Sequence, residues 1–504
     1  MQIVLLVLYC TVLLVLCTYG AHRASLVFQC LRYKRRIERA ARSIPVLDAA
    51  LPSVTVQLPL YNEATVVRRL LDAAGALDYP SDRLELQVLD DSTDETEGIA
   101  RAAVEELRER GINAVYLRRP DRHGYKAGAL DFGLKQATGE LIAIFDADFV
   151  PQSSFLRDIV GHFTDPRIGM VQTRWEHMNR NHSLLTSIQA LMLDGHHMVE
   201  NRARFGAGNM FNFSGTGGMW RRQTIEDAGG WEHDTLTEDL DLSYRAQLAG
   251  WRFVYRGDVL TPAELPEDMC AFRAQQYRWA KGTVQTARKL LMRVAKSELT
   301  LAQRIEACFH MLPHIAYPMT VLLTLLLLPA LVFMPASDVR TLLLIDLPLC
   351  IGATGSLATF YAMAESAQGR SAWGAIKRLP ALIALGAGLA PHLSSAVFDG
   401  MRSMAGEFVR TPKRGEQRGR YRQYAKLPLV EIALSVVCMG SVIASIRTGH
   451  YFATPFAALF MSGYGYVAAL VIQEQFGGKL EAAPVSDSMP SAASADVSGM
   501  ARAA

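Results

Sequence analysis

At 504 residues, 50% hydrophobic and with positive mean hydropathy, the chain is too apolar for an ordinary soluble enzyme of its size, so part of its surface must face lipid. A formal charge of +3 at pH 7 gives no reason to expect a nucleic-acid partner. The 7 cysteines are scattered, several lie inside apolar runs, and none forms a C-x-x-C pair; neither a zinc site nor a disulfide framework is indicated.

Residues 1–20 hold no charge, and Arg32, Lys34, Arg35, Arg36, Arg39 and Arg42 follow them. A cleaved signal peptide carries its basic residues first. Here they come afterwards, which indicates a membrane anchor with its C-terminal end in the cytoplasm. From residue 53 onward short apolar strands alternate with helices: strands at 54–58, 84–89, 114–117 and 141–145, helices at 65–77, 95–110 and 126–136. That alternation predicts an α/β domain with a mostly parallel sheet and helices on its faces. Ligands bind such sheets beyond the carboxyl ends of the strands, where Asn62-Glu63, Asp90-Asp91 and Asp146-Ala147-Asp148 fall. After residue 168 the pattern loosens to two helices, 184–204 and 240–248, separated by the turn Ser214-Gly215-Thr216-Gly217-Gly218. Residues 275–296 are basic and partly amphipathic and are expected along the membrane surface.

Apolar runs at 311–334, 341–363, 429–446 and 452–472 each approach the ~20 residues that cross ~30 Å of hydrocarbon. The run 379–398 is different. If it crossed, the basic segment 402–426 would lie outside, against the positive-inside tendency, and the run carries Pro391 and His392. It is therefore expected to be interfacial or re-entrant and covered by protein. The organisation expected is an N-terminal span at 1–26, a cytoplasmic catalytic domain at 27–304 and a membrane domain at 305–476 with an interfacial segment at about 379–426. Five crossings then leave a cytoplasmic tail, 477–504, whose Ala, Ser, Pro and Met content predicts disorder.

The acidic motifs suit a nucleotide-diphosphate donor, whose phosphates and departing charge call for Mg²⁺ or Mn²⁺ held by one or two carboxylates. Strand alternation would point Asp146 and Asp148 to one side, with Asp148 the first choice for the metal and Asp146 nearer the phosphates. Lys126, opening a helix, adds a cation for the diphosphate. Asp239 in Thr237-Glu238-Asp239 fits a base that takes the proton of an acceptor hydroxyl, with Glu238 and Asp241 raising its pKa. The same triplet also reads as an N-capped acidic helix start, and both can hold. In Gln275-Gln276-Tyr277-Arg278-Trp279, Arg278 would neutralise diphosphate and Trp279 would offer a flat face to an acceptor sugar.

Asp90-Asp91, Asp146–Asp148, Thr237–Asp239 and Gln275-x-x-Arg278-Trp279 together resemble the processive members of glycosyltransferase family 2, which include cellulose, chitin, hyaluronan and mannan synthases. The likeness is greatest to plant cellulose-synthase-like mannan and glucan synthases, through residues 57–63, 90–94, 171–175 and 215–221. The resemblance implies a GT-A catalytic domain, a divalent metal, inversion at the anomeric carbon and a polymer channel between membrane helices. It would give Tyr61, Glu63, Asp90 and Asp91 to the nucleoside, Lys126, Asp146 and Arg278 to the diphosphate, and Asp148 with Asp146 to the metal. Asp239 would be the base, and Gly215, Thr216, Glu238, Gln275 and Trp279 would serve the acceptor. Phe408, Thr411 and Lys413 resemble a cellulose-synthase gating loop, with Arg410 where valine is usual.

The expected function is an integral-membrane, metal-dependent β-glycosyltransferase that elongates a β-1,4-linked glucan, mannan or glucomannan from UDP-glucose or GDP-mannose and passes it through the bilayer. The alternative is a membrane enzyme adding one sugar to a lipid. No motif names an export or accessory partner. Glucose and mannose differ in one hydroxyl orientation, and the base pocket is spread along the chain, so these motifs do not choose the donor.

Overall fold

The computed structural model describes residues 2–333, 354–404, 406 and 427–476. Strands β1 (Val54–Leu60), β2 (Leu84–Asp90), β3 (Ala114–Leu117), β4 (Leu141–Ile144), β5 (Ile168–His177), β6 (Gly218–Arg221) and β7 (Arg252–Ala263) form one sheet in the order β3-β2-β1-β4-β6-β5-β7. The first four are parallel, β6 is antiparallel to β4 and β5, and β5 pairs parallel with β7. Every residue of β2 and all but one of β1 is buried, as expected of parallel strands covered on both faces. Val56, Leu58, Leu86, Val88, Ile142 and Ile144 form the centre of that core.

The alternating half follows the sequence pattern closely. Pro59, expected to end β1, instead sits inside it. Gln57 O accepts from Phe145 N on the β4 side and Leu60 O from Asp91 N on the β2 side, so position 59 faces β4, whose pairing with β1 has already stopped at Gln57. Its missing N–H costs no ladder bond. The other half carries three strands, β5, β6 and β7, where the sequence shows no clear period: β5 and β7 mix polar with apolar residues and shift register twice, and β6 is four residues long.

Helices α1 (Gln2–Arg32), α2 (Val67–Gly75), α3 (Thr96–Glu109), α4 (Tyr125–Leu134), α5 (Leu184–Gly195), α6 (Glu238–Leu248) and α7 (Met269–Lys296) precede the C-terminal bundle of α8 (Ala316–Phe333), α9 (Ser356–Ser366), α10 (Ala372–Arg402), α11 (Leu429–Thr448) and α12 (Ala453–Phe476). The expected helix 184–204 is α5 continued through a π-helical turn, His196–Asn201. α7 differs from the surface helix expected. Half of its residues are buried, because it is wedged between the sheet domain and the bundle. A Cβ on Gly282 would meet Thr237 N at 2.8 Å, and Arg273 pairs with Glu431 of α11 at 2.9 Å.

Five helices among the described residues are long and apolar enough to cross a membrane: α1, the stretch Pro313–Phe333, α10, α11 and the stretch Ala453–Gln475. Gln2 at the start of α1 bonds Phe333 O at the end of α8, while Tyr19 of α1 bonds Leu312 O. α10 is one continuous helix rather than a re-entrant pair, and its two ends are linked to the sheet domain through α9 and α7. Near its start, Arg378 lies 3.8 Å from Glu365, which lies 3.4 Å from Arg180. Near its end, Arg288 of α7 donates to Gly400 O and Gln285 of α7 to Ser403 O, both at 2.9 Å. Most of the expected crossing 341–363 lies outside the described residues, as does the tail.

α10 and α12 touch backbone to backbone. A Cβ on Gly388 would lie 2.3 Å from Gly463 O, and one on Gly463 would lie 2.0 Å from Ala384 O. Gly463→Val is expected to lower the melting temperature of the detergent-purified protein through overpacking of about 1–3 kcal/mol or more. Gly386→Val, where a Cβ meets nothing within 4 Å, should leave it unchanged; equal losses in both variants would reject the contact.

Candidate active site

A cleft of about 200 Å³ opens at the carboxyl ends of β1, β2 and β4 and is closed on the far side by the starts of α6 and the first half of α7. Tyr61 and Glu63 line it from the loop after β1. That loop is latched to the one after β2: Asn62, in the left-handed region at φ 57°, donates its N–H to Ser92 Oγ and accepts from Thr93 N, both at 2.8 Å. Of the Asp90-Asp91 pair only Asp91 reaches the cleft. Asp90 is fully buried, with its oxygens taken by Ser92 N at 2.8 Å and the Tyr116 hydroxyl at 2.6 Å. It joins β2 to β3, and the cleft lining includes its neighbour Asp91 where the nucleoside contact was expected of both. Asp91 pairs with Arg119, whose Nε donates to Oδ1 at 3.0 Å.

Asp146 and Asp148 both line the cleft, though not through strand alternation: β4 ends at Ile144, and a turn closed by Phe149 N to Asp146 O carries them. Asp146 N donates to Thr216 Oγ1 at 2.9 Å. Thr216 is thus a buried brace behind the cleft rather than part of its lining. Lys126 reaches over from the start of α4 to place Nζ 2.5 Å from Asp146 Oδ1 and 2.9 Å from Gly215 O. Burial works against its charge, and Asp146, Glu238 and Asp239 more than offset that, so its pKa is raised. Gly215, at φ +81°, is needed here: a Cβ would stand 3.3 Å from Asp239 Oδ2 and 3.6 Å from Lys126 Nζ.

Glu238 and Asp239 open α6. Thr237 makes no cap bond, because its hydroxyl pairs with Thr286 of α7 at 3.1 Å. Burial and then the Glu238 carboxylate push Asp239 up to about 7. Asp241, expected to help, does not: it is buried on the other side of α6 against Arg245 at 2.8 Å and Lys289 at 3.1 Å. On α7 the spacing i, i+3, i+4 puts Gln275, Arg278 and Trp279 on one face, and all three line the cleft. Burial lowers the Arg278 pKa, opposed by Glu238, Asp146 and Asp239.

The motif reading did not single out Arg122, Trp175 or His177, which also line the cleft. Trp175 ends the string 171–175 and donates Nε1 to Thr216 O at 3.3 Å; its place in that string was the available signal. Arg122 carried none. Phe408, Thr411 and Lys413 lie outside the described residues. Glu232, Asp234 and Asp241 cluster closely enough to hold a cation, but they are away from the cleft and Lys289 already pairs with all three.

A mixed sheet with two carboxylate pairs, a lysine and an arginine converging at its carboxyl edge is the arrangement of a nucleotide-sugar transferase. Residues 52–282 match the family described as Glycosyltransferase like family 2. The chain is 33% identical over 477 residues to glucomannan 4-beta-mannosyltransferase 1 of Oryza sativa subsp. japonica, covering 87% of this chain and 89% of that protein. It is 30% identical to glucomannan 4-beta-mannosyltransferase 9 of Arabidopsis thaliana, covering 84% and 82%. Among solved structures it is similar to the mannosyltransferase PcManGT from Pyrobaculum calidifontis in complex with GDP-Man and Mn²⁺, with TM-score 0.48 and 23% identity, over 71% of this chain and 99% of that one. The chain belongs to glycosyltransferase family 2.

Since Glu238 raises Asp239, Glu238→Gln should lower the Asp239 pKa. The acid limb of kcat/KM for transfer, expected near pH 7 in the unsubstituted protein, should then move to lower pH. A limb that stays in place or moves up would reject Asp239 as the titrating group.

Proposed function

We propose that this chain is a membrane polysaccharide synthase that adds hexose, with GDP-mannose the leading donor and UDP-glucose the competing one, to a growing β-1,4-linked mannan or glucomannan. The observation that carries this reading is Asp239, a carboxylate held near pH 7 in its titration and facing the same cleft as Asp146, Asp148, Lys126 and Arg278. The relatives' names, glucomannan 4-beta-mannosyltransferases along nearly the whole chain, support the sugar and the linkage.

In the reaction Asp239 takes the proton of an acceptor hydroxyl as that oxygen attacks the anomeric carbon from the side opposite the diphosphate. The bond from that carbon to the diphosphate oxygen breaks, its electron pair leaves with the nucleoside diphosphate, and the configuration inverts. Lys126 and Arg278 bear on the departing charge, while Trp279 and Gln275 hold the acceptor ring so that its hydroxyl meets Asp239. Tyr61, Glu63 and Asp91 hold the nucleoside. Mg²⁺ or Mn²⁺ fits Asp148 with Asp146, because the donors are all oxygen and the carboxylates that line the cleft, Glu63, Asp91, Asp146, Asp148, Glu238, Asp239 and Glu264, outnumber its cations, Arg122, Lys126 and Arg278. Lys126 already claims one Asp146 oxygen, which favours Asp148 as the main ligand. When bound, the ion would balance negative charge gathering on the diphosphate.

The reading of α10 as an interfacial helix is supported by its two ends, both linked to the sheet domain, the first through Glu365 of α9 and the last through α7. At about 1.5 Å per residue its 31 residues extend roughly 46 Å, enough to run beneath the domain. α1, α8, α11, α12 and the stretch 341–363 then make the five crossings, with the catalytic domain on the cytoplasmic side where Arg32 to Arg42 lie.

Purified protein supplied with GDP-mannose should make long, mannanase-sensitive product while most donor is unspent, and product made only from UDP-glucose, sensitive to glucanase and not mannanase, would make that the donor instead; a single sugar on an extractable lipid would leave the lipid transferase in its place. Asp239→Asn should lower the rate roughly 10²–10⁴-fold with donor affinity largely kept, and Asp148→Ala should abolish turnover at any practical metal concentration. Undiminished turnover in chelator would remove the metal. Cysteines at positions 36, 377 and 402 should label from the cytoplasmic side and one at 451 from the other; labelling of 377 and 402 from opposite sides would make α10 a crossing.

A further inference from the structure

Arg122 is half-buried at the nucleoside end of the cleft and belongs to none of the acidic motifs. Its guanidinium carbon lies 3.3 Å from the centre of the Tyr61 ring and 4.9 Å from that of Tyr125. The grip is built at a cost. Gly124 and Tyr125 stand consecutively in the left-handed region, at φ 72° and φ 50°, a conformation a tyrosine adopts only when its surroundings impose it. Two rings thus fix the guanidinium against the loop, yet among the described residues no carboxylate or carbonyl accepts a hydrogen bond from it. Asp91 bears on its charge, but Asp91 is itself forked to Arg119. A charged side chain ordered to this degree, facing a cleft, with its N–H donors uncommitted, is prepared for a ligand that brings acceptors.

On the reading that the nucleoside lies beside Tyr61 and Asp91, we infer that Arg122 selects guanine over uracil in the donor. Guanine presents two adjacent acceptors, O6 and N7, that match the two-pronged guanidinium edge. Uracil has no such pair of acceptors; its carbonyl oxygens flank a donor, so an arginine fork meets only one of them. The stack on Tyr61 and Tyr125 sets the plane in which the fork points, so selection comes from direction as well as charge. Lysine would keep the charge and lose the fork.

The test is equilibrium binding of GDP and of UDP to the full-length protein in detergent, with Mn²⁺ present, for the unsubstituted chain, Arg122→Gln and Arg122→Lys. GDP should bind the unsubstituted protein more tightly than UDP. Both variants should lose roughly 10- to 100-fold in GDP affinity, the range of one bidentate arginine–guanine pair, with UDP affinity changed far less. UDP binding also reports that the variants are folded, and Arg122→Lys carries the test if Arg122→Gln does not fold. Parallel loss of GDP and UDP would make Arg122 a phosphate or structural contact, and full retention of selectivity in Arg122→Lys would reduce its role to charge; either overturns the inference, as does a preference for UDP in the unsubstituted protein. If that protein bound neither nucleotide and transferred no sugar from either donor, the glycosyltransferase reading itself would fall.

Discussion

Asp146, Asp148, Glu238 and Asp239 come from two distant segments and are brought into one cleft, where Lys126 and Arg278 are the cations that bear on them. Like charges a few ångströms apart repel by a few kcal/mol even at an effective dielectric near 20, so this cluster sets terms for everything around it. Lys126 ties the first segment to the glycine-rich turn, with its ammonium on Asp146 and on the carbonyl of Gly215, and its charge also bears on Glu238 and Asp239. Gly215 holds the left-handed backbone of this turn, and a Cβ there would crowd Asp239 Oδ2 at 3.3 Å. Burial raises the pKa of both Glu238 and Asp239, and carboxylate repulsion adds to it, from Asp146 on Glu238 and from Glu238 on Asp239. A cluster unbalanced toward negative charge suits a reaction that brings a cation and then needs a base.

The second requirement is a rigid join between that cluster and the membrane, which α7 provides. Gln285 of α7 accepts from Leu236 N at 3.0 Å and Thr286 meets Thr237 at 3.1 Å, so the helix that presents Gln275, Arg278 and Trp279 also fixes the approach to Asp239. Its first turn is capped from outside: Asp268 makes no cap bond, and the Glu474 carboxylate at the end of α12 accepts from Met269 N and Cys270 N at 2.6 and 2.8 Å. An acceptor threaded between bundle helices would therefore meet a face whose position those helices define.

Much of the catalytic half was legible because its signals are local. Alternating apolar strands and helices fix β1 to β4 within a residue or two, and a short motif at a strand end has to emerge at the sheet's carboxyl edge. The i, i+3, i+4 spacing of Gln275, Arg278 and Trp279 likewise settles that they share a face. β5, β6 and β7 were not legible, since their pairing is made across more than eighty residues between β5 and β7 and their composition has no clean period.

What the sequence by itself determined is the inventory: an α/β domain, spans of sufficient length and the carboxylates, lysine, arginine and tryptophan that line the cleft. Tertiary structure decided which of them meet. Asp90 and Asp91 are neighbours with the same side chain, yet one is a buried strut and the other a cleft residue; Glu238 presses on Asp239 while Asp241 turns away; Thr216 stands behind the site it was expected to line. Arg122 enters only through the fold, held between two tyrosines by a strained turn. Direction, burial and the partner across a gap arise from contacts between distant segments, and no short motif carries that information.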